Sequence, residues 1–118
     1  MSYMMNENLQ QEALDKISQE MRRGILILAA LSQLREERYG YALIDLLTRQ
    51  GLSIDQGTLY PLLRRLESQG LLESSWILSG SRPRRYYKTT AFGAAVLEGL
   101  IQEWNDLTGA IAGLLENN

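Results

Sequence analysis

The strongest constraint on this chain is a series of apolar residues near its C-terminus, spaced alternately four and three positions apart. This spacing predicts one long α-helix from about Ala91 to Leu115, with Thr90 placed to cap it. The residues of this seam are Gly93, Leu97, Leu100, Trp104, Leu107, Ile111 and Leu114. Three further glycines inside the helix each cost about 1 kcal/mol relative to alanine, so the helix needs a packing partner.

The residue types that are absent narrow the possible chemistry. The 118 residues, enough for one domain, include no cysteine and no histidine. Disulfides, thiolate metal sites and the commonest general base are therefore excluded. The carboxylates are scattered, and no glycine-rich phosphate loop is present. We accordingly expect no catalytic residues, no metal site and no cofactor, and we predict that the protein is not an enzyme.

No apolar run approaches the roughly 20 residues that a membrane helix requires. The N-terminal residues also lack the basic and apolar segments of a secretory signal. These features favour a cytoplasmic protein without a membrane partner.

The net charge is −2, but it is unevenly distributed. Residues 56–90 hold six basic and two acidic side chains, whereas residues 91–118 hold four acidic and no basic ones. The basic middle predicts a face that meets an anion.

Helical periodicity begins at Leu9, and residues 1–8 are interpreted as a mobile arm. The segment from Glu7 to Leu34 is either one long helix or two helices broken near Gly24. A second helix is predicted from Tyr39 to Gln50, ended by Gly51. A third begins at Ser53 or Asp55, the two candidate caps, and ends at Gly70. Its apolar stripe consists of Leu59, Leu62, Leu63 and Leu66.

Two strands are predicted after the third helix, from Leu71 to Leu78 and from Arg84 to Thr90, on either side of a Gly/Ser/Pro turn. Two helices with a short connection followed by a hairpin indicate a winged helix-turn-helix. The predicted fold class is thus mostly α (α+β), a winged helix-turn-helix with a long C-terminal dimerisation helix. The segments are an N-terminal arm or helical extension (1–20), a DNA-binding domain (21–90) and the dimerisation helix (91–118).

Several motifs resemble the PadR family of transcriptional regulators. They are Tyr39-Gly40-Tyr41, the helix-three sequence Gly57-Thr58-Leu59-Tyr60-Pro61 with Arg65-Leu66-Glu67 and Gly70-Leu71, and the wing Arg82-Pro83-Arg84-Arg85-Tyr86-Tyr87. The resemblance covers roughly residues 22–115. It implies a homodimer in which the last helix of one subunit packs against the first helix of the other. It also implies repression of neighbouring genes and, in some members, release from DNA by a phenolic or drug-like compound. Thr89 departs from the pattern, because an apolar residue is usual there.

The candidate DNA-binding residues belong to helix three and to the wing. They are Gln56, Thr58, Tyr60, Arg64, Arg82, Arg84, Arg85 and Lys88. A charge run is usually a solvated turn, but four basic residues in seven positions without an acid favour contact with phosphate or the minor groove. By resemblance, Thr58 and Tyr60 touch the DNA backbone and base edges. Strand alternation separates Arg84 and Lys88 from Arg85, and the sequence leaves open which set reaches DNA.

The candidate dimer interface combines both terminal helices. Its residues are Leu14, Ile17, Met21, Leu97, Leu100, Trp104, Leu107, Ile111 and Leu114. Trp104 and Leu100 are also candidates for a ligand pocket, by similarity to drug-sensing members of the family. The predicted function is that of a sequence-specific double-stranded DNA-binding regulator, a repressor that binds an inverted-repeat operator as a homodimer and is released by a small aromatic or drug-like effector. The alternative is a winged helix used for protein–protein contact without DNA binding.

Overall fold

The computed structural model describes residues 3–116, apart from the side chains of residues 3–5 and 79. The elements follow the order α1 (Tyr3–Gln33), β1 (Arg38–Tyr39), α2 (Gly40–Arg49), α3 (Gln56–Ser68), β2 (Leu72–Ser79), β3 (Arg82–Thr89) and α4 (Ala91–Glu116). They form a winged helix-turn-helix with a small antiparallel sheet, and this confirms the predicted fold class. In the described part of the chain, no helix is long and apolar enough to span a membrane.

The helical core is built almost entirely from leucine. Leu31 of α1 and Leu34, which directly follows this helix, pack with the inner faces of α2 and α3, while Leu72 and Tyr87 close the core from the sheet. The three inner positions of α3 are Leu59, Leu63 and Leu66, each at most 1% exposed. Their spacing of four and three keeps them on one side of the helix. The opposite side of α3 is thereby left facing outward.

Strand β3 lies at the centre of the sheet, between β1 and β2. The β2–β3 hairpin pairs Leu72 with Thr89 at its base and turns at Gly80, where φ is +67°. The hairpin confirms the predicted wing. Strand β1 was not predicted, because its two residues lie beside a charged loop and carry no recognisable alternation. It pairs Tyr39 with Tyr86 and fastens the start of α2 to the wing.

The C-terminal end of α1 is joined to the sheet by hydrogen bonds to its free carbonyl groups. The Thr89 hydroxyl donates to the carbonyl of Leu31 at 2.9 Å, and the Thr89 N–H donates to that of Leu34 at 2.7 Å. The Arg38 side chain donates to the carbonyl of Gln33 at 3.0 Å. The last carbonyls of a helix have no partner within it, so these contacts satisfy groups that burial would otherwise penalise. They explain how a polar residue is accommodated at position 89.

The structure corrects or decides three local expectations about the helices and confirms a fourth. Helix α1 runs without a break through Gly24, so the one-helix alternative is the right one. Of residues 1–8, the predicted mobile arm, residues 3–8 belong to this helix, and residues 1–2 lie outside the described range. Asp55 caps α3 by accepting from the Thr58 N–H at 3.0 Å, so the start at Ser53 is wrong. Thr90 caps α4 as predicted, accepting from the Gly93 N–H at 2.9 Å.

The terminal helices extend well beyond the core. The chain measures 58 × 34 × 24 Å with a radius of gyration of 17.8 Å, whereas a compact chain of this length would have a radius of about 13–14 Å. In α4, Gly93 and Leu97 are buried, but every residue from Ile101 to Glu116 is exposed. Leu97, expected in a dimer interface, instead lies in the core of its own chain.

Candidate nucleic-acid interface

The outward side of α3 carries the polar residues predicted to read DNA. Gln56, Thr58 and Arg64 are exposed, and Tyr60 is half-buried. At 100° per residue, Tyr60 and Arg64 share one flank of the helix, while Thr58 lies on the other flank. The predicted helix-three residues therefore occupy one surface but do not form a single row. Arg64 has no ion-pair partner among the described residues, so its charge is available to an external anion.

Tyr60 is seated against the first residue of α2. A Cβ atom on Gly40 would collide with the Tyr60 ring. Gly40 is itself buried, so the ring and the Gly40 backbone pack face to face without room for a side chain. The start of α2 and the Tyr60 ring of α3 are therefore in direct contact. This contact also gives the Tyr39-Gly40-Tyr41 motif a direct structural role beside the outward side of α3.

Asp55 places a carboxylate at the N-terminus of α3. Its side chain is exposed, and the hydrogen bond from Thr58 holds the pKa of the Asp55 carboxyl below its usual value. A carboxylate at this end of a helix is stabilised by the positive end of the helix dipole. The cap therefore stays ionised near neutral pH and contributes a negative charge at the N-terminal end of α3.

The two faces of β3 have different surroundings. Tyr87 and Thr89 are buried, so their face, which also carries Arg85, points toward the core. Burial raises the pKa of the Tyr87 hydroxyl. Arg84, Tyr86 and Lys88 lie on the opposite, outer face. Lys88, near the base of the hairpin, and Arg82, beside its turn, are exposed, and Arg84 is half-buried.

Arg84 lies over a cluster of tyrosines that connects the wing to α2. The tyrosine cluster consists of Tyr39, Tyr41 and Tyr86. The Tyr39 ring is 6.5 Å from that of Tyr41 and 5.8 Å from that of Tyr86, measured between centroids. The Arg84 guanidinium carbon is 4.7 Å from the Tyr39 centroid, within range of a cation–π interaction. The Tyr39-Gly40-Tyr41 motif is visible in the sequence, but no local pattern places it beside the wing, because its contact with β3 is long-range.

Arg85, the fourth predicted wing contact, is engaged within the protein. Its guanidinium is 3.0 Å from a carboxylate oxygen of Glu67 near the end of α3. Arg82, Arg84 and Lys88 form no ion pair within residues 3–116. The structure thus brings three predicted wing cations to the outer face and tip of the hairpin, and places the fourth on the inner face.

The predicted pocket residues line an apolar groove between α1 and α4. It has a volume of about 660 Å³, and its walls include Met21, Ile25 and Leu28 from α1 and Leu100, Trp104 and Leu107 from α4. Glu103 is its one charged lining residue. Within residues 3–116, no group of three or more acidic side chains is suited to hold a metal ion.

A helix-turn-helix with an outward polar helix and a cationic wing defines the class of winged-helix DNA-binding proteins. The model of the PadR-like family of transcriptional regulators matches residues 27–99 of this chain. The protein therefore belongs to the PadR-like family and is a DNA-binding transcriptional regulator.

Individual relatives agree with this assignment. A PadR family transcriptional regulator from Eggerthella lenta is 47% identical, with a TM-score of 0.86 over 93% of this chain and 98% of that structure. A PadR-like transcriptional regulator from Bacillus cereus is 31% identical, with a TM-score of 0.71 over 81% of this chain and 96% of that structure. Transcriptional regulator Rv3488 from Mycobacterium tuberculosis is 44% identical over 61 residues, which are 52% of this chain and 57% of the relative.

The contact between Gly40 and Tyr60 leads to the first prediction. Gly40→Ala should destabilise the protein by about 1–3 kcal/mol, because the added methyl group has to displace the ring. It should also weaken DNA binding, since Tyr60 and the start of α3 move together. Urea unfolding and fluorescence anisotropy with duplex DNA would measure the two effects. In a Tyr60→Ala background the same substitution should cost less, and an equal loss in both backgrounds would contradict the assigned contact.

Proposed function

We propose that the protein is a homodimeric repressor that binds an inverted-repeat operator and is released from it by a small, planar, apolar compound. The observation that carries this proposal is the position of the long apolar faces of α1 and α4, outside the protomer core and connected directly to the DNA-binding domain. Membership of a family of DNA-binding regulators favours this function over the protein–protein module. A repressor of this kind would act in the cytoplasm.

In the proposed complex, α3 enters the major groove, which is wide enough for one helix. Gln56, Tyr60 and Arg64 approach base edges and phosphates, with Thr58 on the adjoining flank. The outer face of the wing contributes Arg82, Arg84 and Lys88 to the backbone or to the minor groove. Arg82 and Lys88 are exposed, Arg84 is half-buried, and none of the three forms an ion pair within residues 3–116. These observations support the arrangement.

The proposed dimer buries apolar side chains that the protomer leaves in solvent. Leu14, Ile17 and Met21 of α1 are each at least 60% exposed, and Leu107, Ile111 and Leu114 of α4 are more than half exposed. A stripe of this length is costly in water, so a second copy of the chain would stabilise it. A two-fold axis would set the two α3 helices to read half-sites about one turn of DNA apart.

The proposed effector site is the groove that Trp104 and Leu100 line. Its volume of about 660 Å³ lies within the range of small-molecule sites, and its walls are apolar. A planar compound would stack on the Trp104 ring. Glu103 in the lining favours a neutral or cationic compound over an anionic one. Because the groove is formed by the helices of the proposed dimer, a ligand there would alter the spacing of the two α3 helices. That geometry supports release from the operator as the proposed response to the ligand.

The DNA interface is tested by salt-dependent binding to the upstream DNA of the gene itself, with random duplex as competitor. Arg64→Ala and Arg82→Ala should each weaken binding, and each should reduce the slope of log K against log salt by about 0.9 per lost phosphate contact. Arg35→Ala is the matched control, because Arg35 is exposed in the loop before β1, at the base of the wing. Unchanged affinity and slope in both test variants would show that this surface does not meet DNA.

The dimer is tested by placing a charge in the exposed part of the α4 seam. Ile111→Asp should weaken association by about 3–5 kcal/mol, because the interface would bury an unpaired carboxylate. Sedimentation at several concentrations would give the dimer dissociation constant. Gln102→Asp adds the same charge on the opposite side of α4 and should leave the dimer intact. If Ile111→Asp sediments as the parent protein does, α4 is not the dimer interface.

The effector site is tested through the intrinsic fluorescence of Trp104 in a Trp76→Phe variant. Planar neutral or cationic aromatic compounds should quench this fluorescence and, at the same concentrations, release labelled operator DNA. The Trp104→Phe variant, which retains Trp76, should show no quenching. A flat response over a panel of neutral, cationic and anionic aromatic compounds would count against a ligand site in the groove.

A further inference from the structure

Three side chains form a closed ring of hydrogen bonds between the recognition helix and the wing. The ring comprises Glu67 of α3, Ser74 of β2 and Arg85 of β3. The Arg85 guanidinium donates to one carboxylate oxygen of Glu67 at 3.0 Å, and the Ser74 hydroxyl donates to the other at 2.6 Å. The Nε atom of Arg85 donates to the Ser74 hydroxyl at 3.1 Å. Both carboxylate oxygens are therefore occupied, and each side chain has two partners.

The surroundings of Arg85 hold its guanidinium in this position. The guanidinium carbon lies 5.5 Å from the Tyr87 ring centroid and 5.8 Å from that of Trp76. The Arg85 side chain is 36% exposed and that of Glu67 is 28% exposed, so the pair is partly shielded from solvent. A planar guanidinium that both bonds a carboxylate and stacks on aromatic rings loses little additional freedom in doing so. The hydrogen-bonded ring of Glu67, Ser74 and Arg85 therefore differs from the exposed ion pair between Arg49 and Asp45. The side chains of that pair are 69% and 58% exposed.

The ring lies where the wing leaves the core. At the base of the hairpin, Leu72, Tyr87 and Thr89 are buried. Beyond Ser74 and Arg85, the hairpin projects outward, and Trp76 and Leu78 are 66% and 72% exposed. Packing against α3 therefore controls the base of the wing but not its outer half. The ring is the contact that ties the start of this outer half to the helix beside it.

We infer that Glu67 and Arg85 are positioning residues for DNA binding, and that their ion pair sets the angle between the outer wing and α3. The inference rests on the proposed function, in which both elements touch DNA. Adjacent arginines on β3 then have separate tasks. Arg84 faces outward to the DNA, while Arg85 braces the wing from its inner face and does not contact phosphate.

The charge of Glu67 makes this inference testable by the direction of the effect. An acidic side chain near DNA repels phosphate, so its removal would by Coulomb's law alone tighten binding. If the ion pair between Glu67 and Arg85 positions the wing, removal of the Glu67 charge should instead weaken binding. Glu67→Gln and Arg85→Gln should each weaken operator binding by about fivefold, and the double variant should be no weaker than either single one. Glu67→Asp keeps the charge but shortens the side chain, and it should weaken binding as well.

The experiment is fluorescence anisotropy of the full-length dimer on operator DNA at several salt concentrations. Circular dichroism would first verify that each variant is folded. The slope of log K against log salt should stay at the parent value in Glu67→Gln and Arg85→Gln, since no phosphate contact is lost. Arg82→Ala supplies the reference for a lost wing contact, with a reduced slope. Glu73→Gln, which removes an exposed carboxylate from β2, is the matched control and should not weaken binding.

A second readout needs no DNA. In a Trp104→Phe background, Trp76 reports on the outer wing, and Glu67→Gln should lower its fluorescence anisotropy because the wing gains freedom. One contrary result is that Glu67→Gln binds the operator as tightly as the parent or more tightly, while Arg82→Ala still weakens binding. That result would overturn the positioning role of Glu67 and Arg85 and leave the proposed wing contact standing. A reduced salt slope in Arg85→Gln would overturn it too, by making Arg85 a direct contact. If Arg82→Ala has no effect, the proposed wing contact itself fails, and the inference fails with it.

Discussion

The two-residue period of β3 is the constraint that decides which basic side chains of the wing face outward. Successive side chains of a strand point to opposite faces, and burial of Tyr87 and Thr89 decides which face of β3 meets the core. Arg85 then has to lie on the inner side and Arg84 on the outer side. A register shift of one residue would exchange these roles and place the buried tyrosine in solvent. The pairing of Tyr39 with Tyr86 in the same sheet extends the outer face to the start of α2.

The leucine core and the terminal helices have contrasting environments. The core orients α3 through buried side chains on one side of the helix, which leaves its polar side facing outward. The outer parts of α1 and α4 obtain no such cover from their own chain, although their apolar residues are regularly spaced. The chain therefore buries the inner side of α3 but leaves a large apolar surface of α1 and α4 in solvent. That imbalance is the physical basis for proposing both a dimer and an effector groove on the same two helices.

The acidic overall charge is compatible with DNA binding because the charges are separated along the chain. The basic side chains of residues 56–90 lie on α3 and the wing, and the acidic residues of 91–118 lie on α4. A local cationic surface attracts phosphate over about one Debye length, which is short relative to the 58 Å length of the molecule. Within the cationic segment, Glu67 is occupied by Arg85. Asp55 remains ionised as a helix cap, at the edge of the surface.

The sequence by itself determined the class of fold, the approximate bounds of α2, α3, the hairpin and α4, and the segment in which the basic side chains are concentrated. These features follow from local periodicity, turn residues and caps, which act over a few neighbouring positions. The tertiary structure decided the role of each residue within that segment. Leu97 fits the apolar seam as well as Ile111 does, yet it is buried in its own chain, because the first turns of α4 pack on the sheet. Arg84 and Arg85 are chemically identical, and contacts with Tyr39 and Glu67, 45 and 18 positions away along the chain, distinguish them. Such contacts depend on which helices and strands pack against one another. Local periodicity does not predict this packing, because it reflects only residues that are close together along the chain.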